Sequence, residues 1–216
     1  MEIRYEYPAK VASLLISGKV DIGLVPVAVI PLMQEHFIIA DYGIGSDNEV
    51  ASVCLFSDVP LHEISKIYLD YQSRTSVALI RILLKEHWKI SPELIPATEG
   101  YEENIEGNVA GLVIGDRALS QRNRSKYIFD LSTAWKEMTN LPFVFAAWVA
   151  NKKLPDQFLS GFNDATAEGL NHLDEIASKE TFMDYDLKKY YTENINYPLN
   201  AEHLKGMKLF LELMKK

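Results

Sequence analysis

The stretch Ile67–Trp88, IYLDYQSRTSVALIRILLKEHW, decides the fold because it holds a strand, a polar junction and a helix in direct succession. Ile67–Tyr71 is rich in β-forming residues and predicts a strand. Beyond the junction, apolar residues recur at helical spacing up to Trp88, which predicts a helix. A strand followed at once by a helix is typical of α/β folds.

The junction itself consists of one arginine and three hydroxyl residues, Ser73, Arg74, Thr75 and Ser76. A helix N-terminus presents unpaired N–H groups and the positive end of the helix dipole, so it attracts anions. Guanidinium and hydroxyl donors beside it would strengthen a carboxylate or phosphate site. A second interpretation stays open, in which Ser73, Thr75 or Ser76 caps an ordinary helix and Arg74 is solvent-exposed.

Outward from this stretch, predicted strands and helices alternate along the chain. The strand segments are near-continuous apolar runs, a pattern typical of parallel strands that are buried on both faces. We therefore predict an α/β fold with mixed, mainly parallel sheets flanked by helices. The main strand segments are VDIGLVP (20–26), SVCLFS (52–57), ELIPA (93–97), VAGLVI (109–114) and FVFAAWVAN (143–151).

The composition narrows the classes of partner. The chain has 216 residues and a net charge of −8, which argues against nonspecific nucleic-acid binding because such binding needs clustered Lys and Arg. No apolar run approaches the roughly 18 residues of a membrane span, so we expect no membrane insertion. The single cysteine, Cys54, lies in an apolar run and is predicted to be buried and unable to form an internal disulfide, as suits a cytoplasmic protein.

Motifs for metals and nucleotides are missing from the sequence. The five histidines have no metal-ligand spacing, and GIGSDNE (43–49) lacks the strand–turn–helix context of a dinucleotide fingerprint. This small polar segment, which contains Ser46, either offers N–H and hydroxyl donors to an anion or is a surface turn.

Two further places are candidates for ligand contact. Asp116 follows Gly115 at the end of a predicted strand, where it could orient a ligand or take a proton, or cap the next helix. Phe143, Phe145 and Trp148 lie on a buried strand, where they either form core only or stack on a flat ligand.

Five segments in this order resemble the chorismate dehydratase family of the futalosine route to menaquinone. They are DIGLVPVAVIPL (21–32), ASVCLFSDVP (51–60), YLDYQSRTSVAL (68–79), GLVIGDRAL (111–119) and LPFVFAAWV (141–149). The resemblance implies a two-lobed, type II periplasmic-binding-protein fold, with lobe 1 formed by 1–64 plus 150–216 and lobe 2 by 65–149. It also implies a lyase that dehydrates chorismate, a small dicarboxylate, to 3-[(1-carboxyvinyl)oxy]benzoate without a metal or organic cofactor.

The resemblance also assigns roles to residues. Ser73, Arg74, Thr75 and Ser76 become the anion cradle, with Ser46 and Ser52 contributed by the first lobe, and with Gly115, Asp116, Phe143, Phe145 and Trp148 bordering the cleft. Asp116 is the candidate catalytic residue, while the lack of His or Glu in these motifs suggests that a substrate carboxylate takes the proton.

The function, the residues before Met1, the cellular location and the oligomeric state stay open at this point. A solute-binding protein for a small carboxylate and the dihydroxynaphthoate synthase of the same pathway are the alternatives. The resemblance leads us to expect about thirty further residues before Met1, with a strand and an asparagine for the cleft. We expect a cytoplasmic protein, and a homodimer is plausible because most oligomers have two-fold symmetry.

Overall fold

The chain forms two β-sheets flanked by helices in a computed structural model, which describes residues 2–180, 182 and 184–215. The strands are β1 (Ile22–Pro26), β2 (Phe37–Ser46), β3 (Val53–Ser57), β4 (Lys66–Leu69), β5 (Glu93–Pro96), β6 (Val109–Ile114), β7 (Tyr127–Asp130), β8 (Phe143–Ala150) and β9 (Asn196–Pro198). The first sheet has the order β1-β8-β2-β9, and the second has the order β5-β4-β6-β3-β7.

Helices connect and cover these strands. They are α1 (Pro8–Ile16), α2 (Thr75–Ile82), α3 (Gly115–Gln121), α4 (Leu131–Thr139), α5 (Asp156–Leu170), α6 (Leu173–Lys179), α7 (Leu187–Lys189) and α8 (Ala201–Leu213). Their boundaries follow local chemistry: Pro8 opens α1, and the Asp130 carboxylate accepts hydrogen bonds from the backbone N–H groups of Ser132 and Thr133, 3.0 Å each, at the start of α4. No described helix is long and apolar enough to span a bilayer.

The mixed α/β architecture is confirmed, but the prediction of mainly parallel sheets is wrong. In the described residues only β4 pairs in parallel, with β5 and β6, while the four-stranded sheet and both pairings of β3 are antiparallel. Near-continuous apolar runs predict parallel strands because they are typical of strands that are buried on both faces. In β8 that burial comes instead from helices and neighbouring strands packed around an antiparallel strand.

Two strands lie in the other sheet from the one that the predicted lobe boundaries imply. β3 was expected in lobe 1 but pairs with β6 and β7 in the second sheet, and β8 was expected in lobe 2 but lies between β1 and β2 in the first. The chain thus passes between the sheets around 47–52 and 140–142. The sequence does not predict these crossings, because strand pairing is decided by long-range contacts that local sequence does not encode. The division into two lobes itself stays a prediction.

One continuous apolar core joins the two sheets. It includes Val29 after β1, Leu112 in β6 and Trp135 in α4. The rings of Trp135 and Phe210 meet the ring of Phe143 edge to face, with centroids 5.3 and 5.1 Å away. Phe143 is therefore a core residue, so its predicted contact with a ligand is not supported.

The predicted strand–junction–helix unit is present, with β4 and α2 on either side of the junction. The segment GIGSDNE, by contrast, is only partly a turn, because Gly43–Ser46 form the end of β2. A side chain at Gly43 would stand 2.6 Å from the carbonyl oxygen of Ala146, so this glycine allows β2 and β8 to approach closely.

Candidate functional site

A cavity of about 1090 Å³ lies where the two sheets face each other. Its walls include Ile44 and Ala146 from the first sheet, and Val53 and Ile114 from the second. Six of the predicted site residues line it: Ser73, Thr75, Ser76, Gly115, Phe145 and Trp148. The volume falls just above the usual range for small-molecule sites, so a drug-sized ligand fits.

The start of α2 forms one polar wall of the cavity. The Ser73 hydroxyl accepts a hydrogen bond from the backbone N–H of Ser76 (3.0 Å) and donates to its hydroxyl oxygen (2.8 Å). Among the three hydroxyls that the sequence left open, Ser73 is thus the one that binds a backbone N–H in the first turn of α2, although the N-cap position itself belongs to Arg74. The Ser76 hydroxyl keeps its own hydrogen for a further acceptor.

Thr75 joins α2 to the first sheet across the cavity. Its hydroxyl donates to the carbonyl oxygen of Phe145 (3.0 Å) and accepts from the backbone N–H of Ala28 (3.3 Å). The Phe145 carbonyl is free for this bond because the β2–β8 ladder skips Phe145 at a register shift. Thr75 therefore lines the cavity, and its hydroxyl serves to hold the two sheets in position.

A second polar corner lies where β6 meets α3. Gly115 adopts a left-handed conformation with φ +63°, and its N–H donates to the carbonyl oxygen of Ser52, 2.8 Å away. The Ser52 hydroxyl in turn accepts from the Tyr190 hydroxyl at 2.9 Å. Burial and the nearby Asp116 carboxylate raise the pKa of Tyr190, although the bond to Ser52 opposes them, so the phenol stays protonated and remains a donor.

Aromatic rings form the opposite, apolar part of the wall. The ring of Trp148 meets that of Phe162 edge to face at 5.1 Å, and Phe158 stacks on Phe162 at 6.0 Å. Phe145, Trp148, Phe158 and Phe162 all line the cavity. Rings placed in this way can hold a flat apolar or unsaturated ring of a ligand.

Five predicted site residues lie outside the cavity lining: Ser46, Ser52, Arg74, Asp116 and Phe143. Ser46 is buried and donates to the carbonyl oxygen of Asn48 (3.2 Å), and Arg74 and Asp116 are exposed. Ser52 lies directly behind the wall, where its hydroxyl holds Tyr190. Asp116 follows Gly115, so its carboxylate lies near the cavity without lining it in this conformation.

Sequence reasoning missed Gln72 and Tyr190, which both line the cavity. Gln72 directly precedes the recognised junction, and an extension of that motif by one residue would have included it. Tyr190 lies in a short wide helical turn after α7, far along the chain from the other site residues. No local signal distinguishes it from the neighbouring tyrosine.

Cationic groups also reach the cavity. Among the described lining residues, the Arg4 side chain pairs with Glu2 (2.9 Å), and Lys152 pairs with Asp21 (2.7 Å), at exposed positions. The described residues contain no group of three or more His, Cys, Asp or Glu side chains that could hold a metal ion. The site therefore offers hydroxyl, amide and aromatic groups, with charges at its outer edge.

A family model described as menaquinone biosynthesis matches residues 1–216. The chain belongs to this menaquinone biosynthesis family. It is 30% identical to a chorismate dehydratase of Thermus thermophilus over 98% of this chain and 86% of the relative. It is also 26% identical to a chorismate dehydratase of Campylobacter jejuni over 100% of this chain and 84% of the relative.

Solved structures extend the comparison to the fold of this family member. An Archaeoglobus fulgidus protein superposes with a TM-score of 0.73 at 13% identity, over 97% of this chain and 84% of that one. An ABC transporter protein of Parabacteroides distasonis superposes with a TM-score of 0.58 at 19% identity, over 98% and 80%. Likeness to a transport protein agrees with the expected periplasmic-binding-protein-like fold.

Proposed function

We propose that this member of the menaquinone biosynthesis family dehydrates chorismate to 3-[(1-carboxyvinyl)oxy]benzoate. The observation that carries the proposal is the meeting, in one cavity, of the hydroxyl-rich start of α2 and the aromatic residues of β8. Two relatives aligned over nearly the whole chain bear the name chorismate dehydratase, which supports the choice of reaction.

The cavity suits the chemical form of chorismate. This substrate has a partly unsaturated ring that carries one carboxylate directly and a second one on its enolpyruvyl ether. In our proposal Ser73 and Ser76, at the positive end of the α2 dipole, bind a carboxylate, and Gln72 adds amide donors. Phe145 and Trp148 then lie against the ring.

The reaction removes one water and makes the ring aromatic. The C–H bond at the ring carbon that carries the enolpyruvyl ether breaks, and its electron pair forms the new ring double bond. The C–O bond at the neighbouring carbon breaks, and the hydroxide that leaves ends as water with the removed proton. Because aromatisation drives the reaction, the protein mainly has to fix the conformer and stabilise the developing charge.

The proton acceptor remains part of the proposal. Near α2 and β8 the wall supplies hydroxyls, an amide and aromatic rings, while the lining carboxylates of Glu2, Glu6 and Asp21 lie at exposed positions. This arrangement favours a substrate carboxylate as the group that takes the proton. Asp116 is the competing candidate, since it directly follows Gly115. Because the Asp116 carboxylate is exposed, we expect Asp116→Asn to change kcat less than threefold. Loss of turnover with unchanged substrate affinity would instead make Asp116 the base.

The test is to incubate the chain with chorismate and follow loss of one water by mass spectrometry against the spontaneous background. Ser73→Ala should lower turnover, whereas Ser91→Ala, an exposed serine outside the cavity, should not. Binding of chorismate without product would instead indicate a solute-binding protein. Conversion of a later pathway intermediate but not chorismate would indicate the dihydroxynaphthoate synthase step.

The proposal also covers the cellular compartment and the oligomeric state of the protein. A biosynthetic role in the cytoplasm is supported by the family of the chain. A homodimer stays a prediction from general symmetry, which light scattering during size-exclusion chromatography would check.

A further inference from the structure

A fully buried carboxylate lies directly behind the polar wall of the cavity. Asp70 follows β4, and its side chain has no exposed surface. One oxygen accepts from the backbone N–H of Gln72 at 2.7 Å, while the other accepts from the Tyr101 hydroxyl at 2.8 Å and from the Arg117 guanidinium at 2.7 Å. A buried carboxylate is costly to keep unless it is paired in this way, so its contacts indicate a specific role.

These contacts connect the two loops that form the polar wall. Gln72 and Ser73 lie in the loop after β4, and Gly115 and Arg117 lie where α3 follows β6. Because β4 and β6 are parallel neighbours, their carboxyl ends lie at the same edge of the sheet. The pair of Asp70 and Arg117 therefore bridges both loops just behind the residues that line the cavity.

Two more residues keep this arrangement fixed. The single hydrogen of the Tyr101 hydroxyl is shared between Asp70 and the carbonyl oxygen of Leu112 in β6, 2.5 Å away. Glu102 binds the second arm of the Arg117 guanidinium, also at 2.5 Å. The network thus holds the loops from the strand side and from the segment between β5 and β6.

Electrostatics keep the Tyr101 phenol and the Arg117 guanidinium protonated. Burial and the Asp70 charge raise the pKa of Tyr101 above its usual range, so the phenol remains a donor. Burial alone would lower the pKa of Arg117, but the charge of Asp70 and the bond to Glu102 outweigh it and raise the pKa. The guanidinium also lies over the ring of Tyr71, 5.1 Å from its centroid, which adds a cation–π contact.

We propose that Asp70, together with Arg117 and Tyr101, is the positioning group that holds the Gln72–Ser73 loop and the Gly115 corner in the arrangement needed for turnover. The inference rests on the proposed function for its effect on catalysis. Its structural part, that one buried carboxylate controls both loops, stands independently of the substrate.

The first measurement is amide hydrogen exchange on the protein without ligand. Asp70→Asn should raise exchange about tenfold in 72–77 and in 115–118 together, with the described chain outside these loops and the Tyr101–Glu102 segment unchanged. The matched control is Arg124→Met, which removes an exposed pair with Glu103 (3.1 Å) and should leave both loops unchanged. Unchanged exchange in either loop of the Asp70 variant would overturn the inference, and so would a rise spread over the whole protein.

The second measurement separates positioning from folding. With chorismate, Asp70→Asn should lower kcat by about 10- to 100-fold and change KM less, since misplacement by about 1 Å can cost a hundredfold. Tyr101→Phe retains the ion pair and should give a smaller loss, and it replaces Asp70→Asn if that variant does not fold. Arg117→Lys keeps the positive charge but cannot make the two-armed contact, so we expect its kcat to lie between those of the unmodified chain and of Asp70→Asn.

The two proposals fail in different ways. If the unmodified chain does not dehydrate chorismate, the proposed function is wrong, and hydrogen exchange still decides the role of Asp70. If the chain turns over and Asp70→Asn does so equally fast, the positioning role is wrong and the proposed function stands.

Discussion

Thr75→Val tests whether one hydroxyl couples the start of α2 to the first sheet. The Thr75 side chain is buried, and its two hydrogen bonds reach Phe145 and Ala28, far apart in sequence. Valine keeps the shape of the side chain but leaves a buried carbonyl and a buried N–H without this partner. Each such loss costs about 1–3 kcal/mol.

The expected net effect follows from these terms. Two unsatisfied groups cost about 3 kcal/mol together, and burial of an additional methyl group in valine returns about 0.8 kcal/mol. We therefore expect the free energy of unfolding to drop by about 2 kcal/mol. With an m-value of about 2–3 kcal/mol/M in urea, the unfolding midpoint should shift down by just under 1 M.

The matched control is Thr75→Ser, which keeps the hydroxyl and removes only the methyl group. It should cost about 1 kcal/mol, in the range of a single buried methyl deletion. If the valine variant is as stable as the unmodified chain, or the serine variant is the less stable of the two, the hydroxyl does not tie the sheets together. Chorismate affinity measured on both variants would then show whether this tie matters for the site.

Two further predictions concern the packing of α8. Burial lowers the pKa of His203, whose Nε2 lies 3.4 Å from the Asp47 carboxylate, so the unfolded chain takes up a proton first as the pH falls below about 6.5. The free energy of unfolding, measured by urea titration, should therefore decrease from pH 6.5 downward. His203→Gln should make this decrease with pH smaller, and an unchanged pH dependence in the variant would contradict the role of His203. Gly206→Ala places a methyl group 2.2 Å from the Pro142 carbonyl oxygen and should cost about 2 kcal/mol. In Gly161→Ala, where the added methyl meets nothing within 4 Å, thermal unfolding should show a gain of up to ~1 kcal/mol instead, and equal effects of the two substitutions would refute the packing argument.

The sequence was informative wherever the signal was local. The strand before the junction, the helix after it and the stop of α4 at Asn140 depend on residues within one or two turns. The buried state of Cys54 likewise follows from its apolar neighbours, and the structure confirms it. β2, β7 and β9 were missed because they are irregular or short and depend on their partners.

The network around Asp70 shows where local reasoning stopped. In the sequence, Asp70 falls near the end of the predicted strand Ile67–Tyr71, just before the polar junction, and nothing local marks its side chain as buried. A possible signal was the opposite charge of Arg117 just after another strand, since the carboxyl ends of parallel neighbours meet at one edge. Without strand pairing, however, nothing indicated that β4 and β6 are neighbours.

The sequence by itself thus determined the α/β class, most helices and the hydroxyl cluster that begins α2, because capping, periodicity and apolar runs act over a few residues. Only the tertiary structure decided which strands pair, in which direction, and that Phe143 belongs to the core while Phe145 faces the cavity. It also brought Tyr190 to Ser52 and turned the Thr75 hydroxyl toward the first sheet. These choices depend on contacts between residues distant in the chain, whose free energies no local pattern reports.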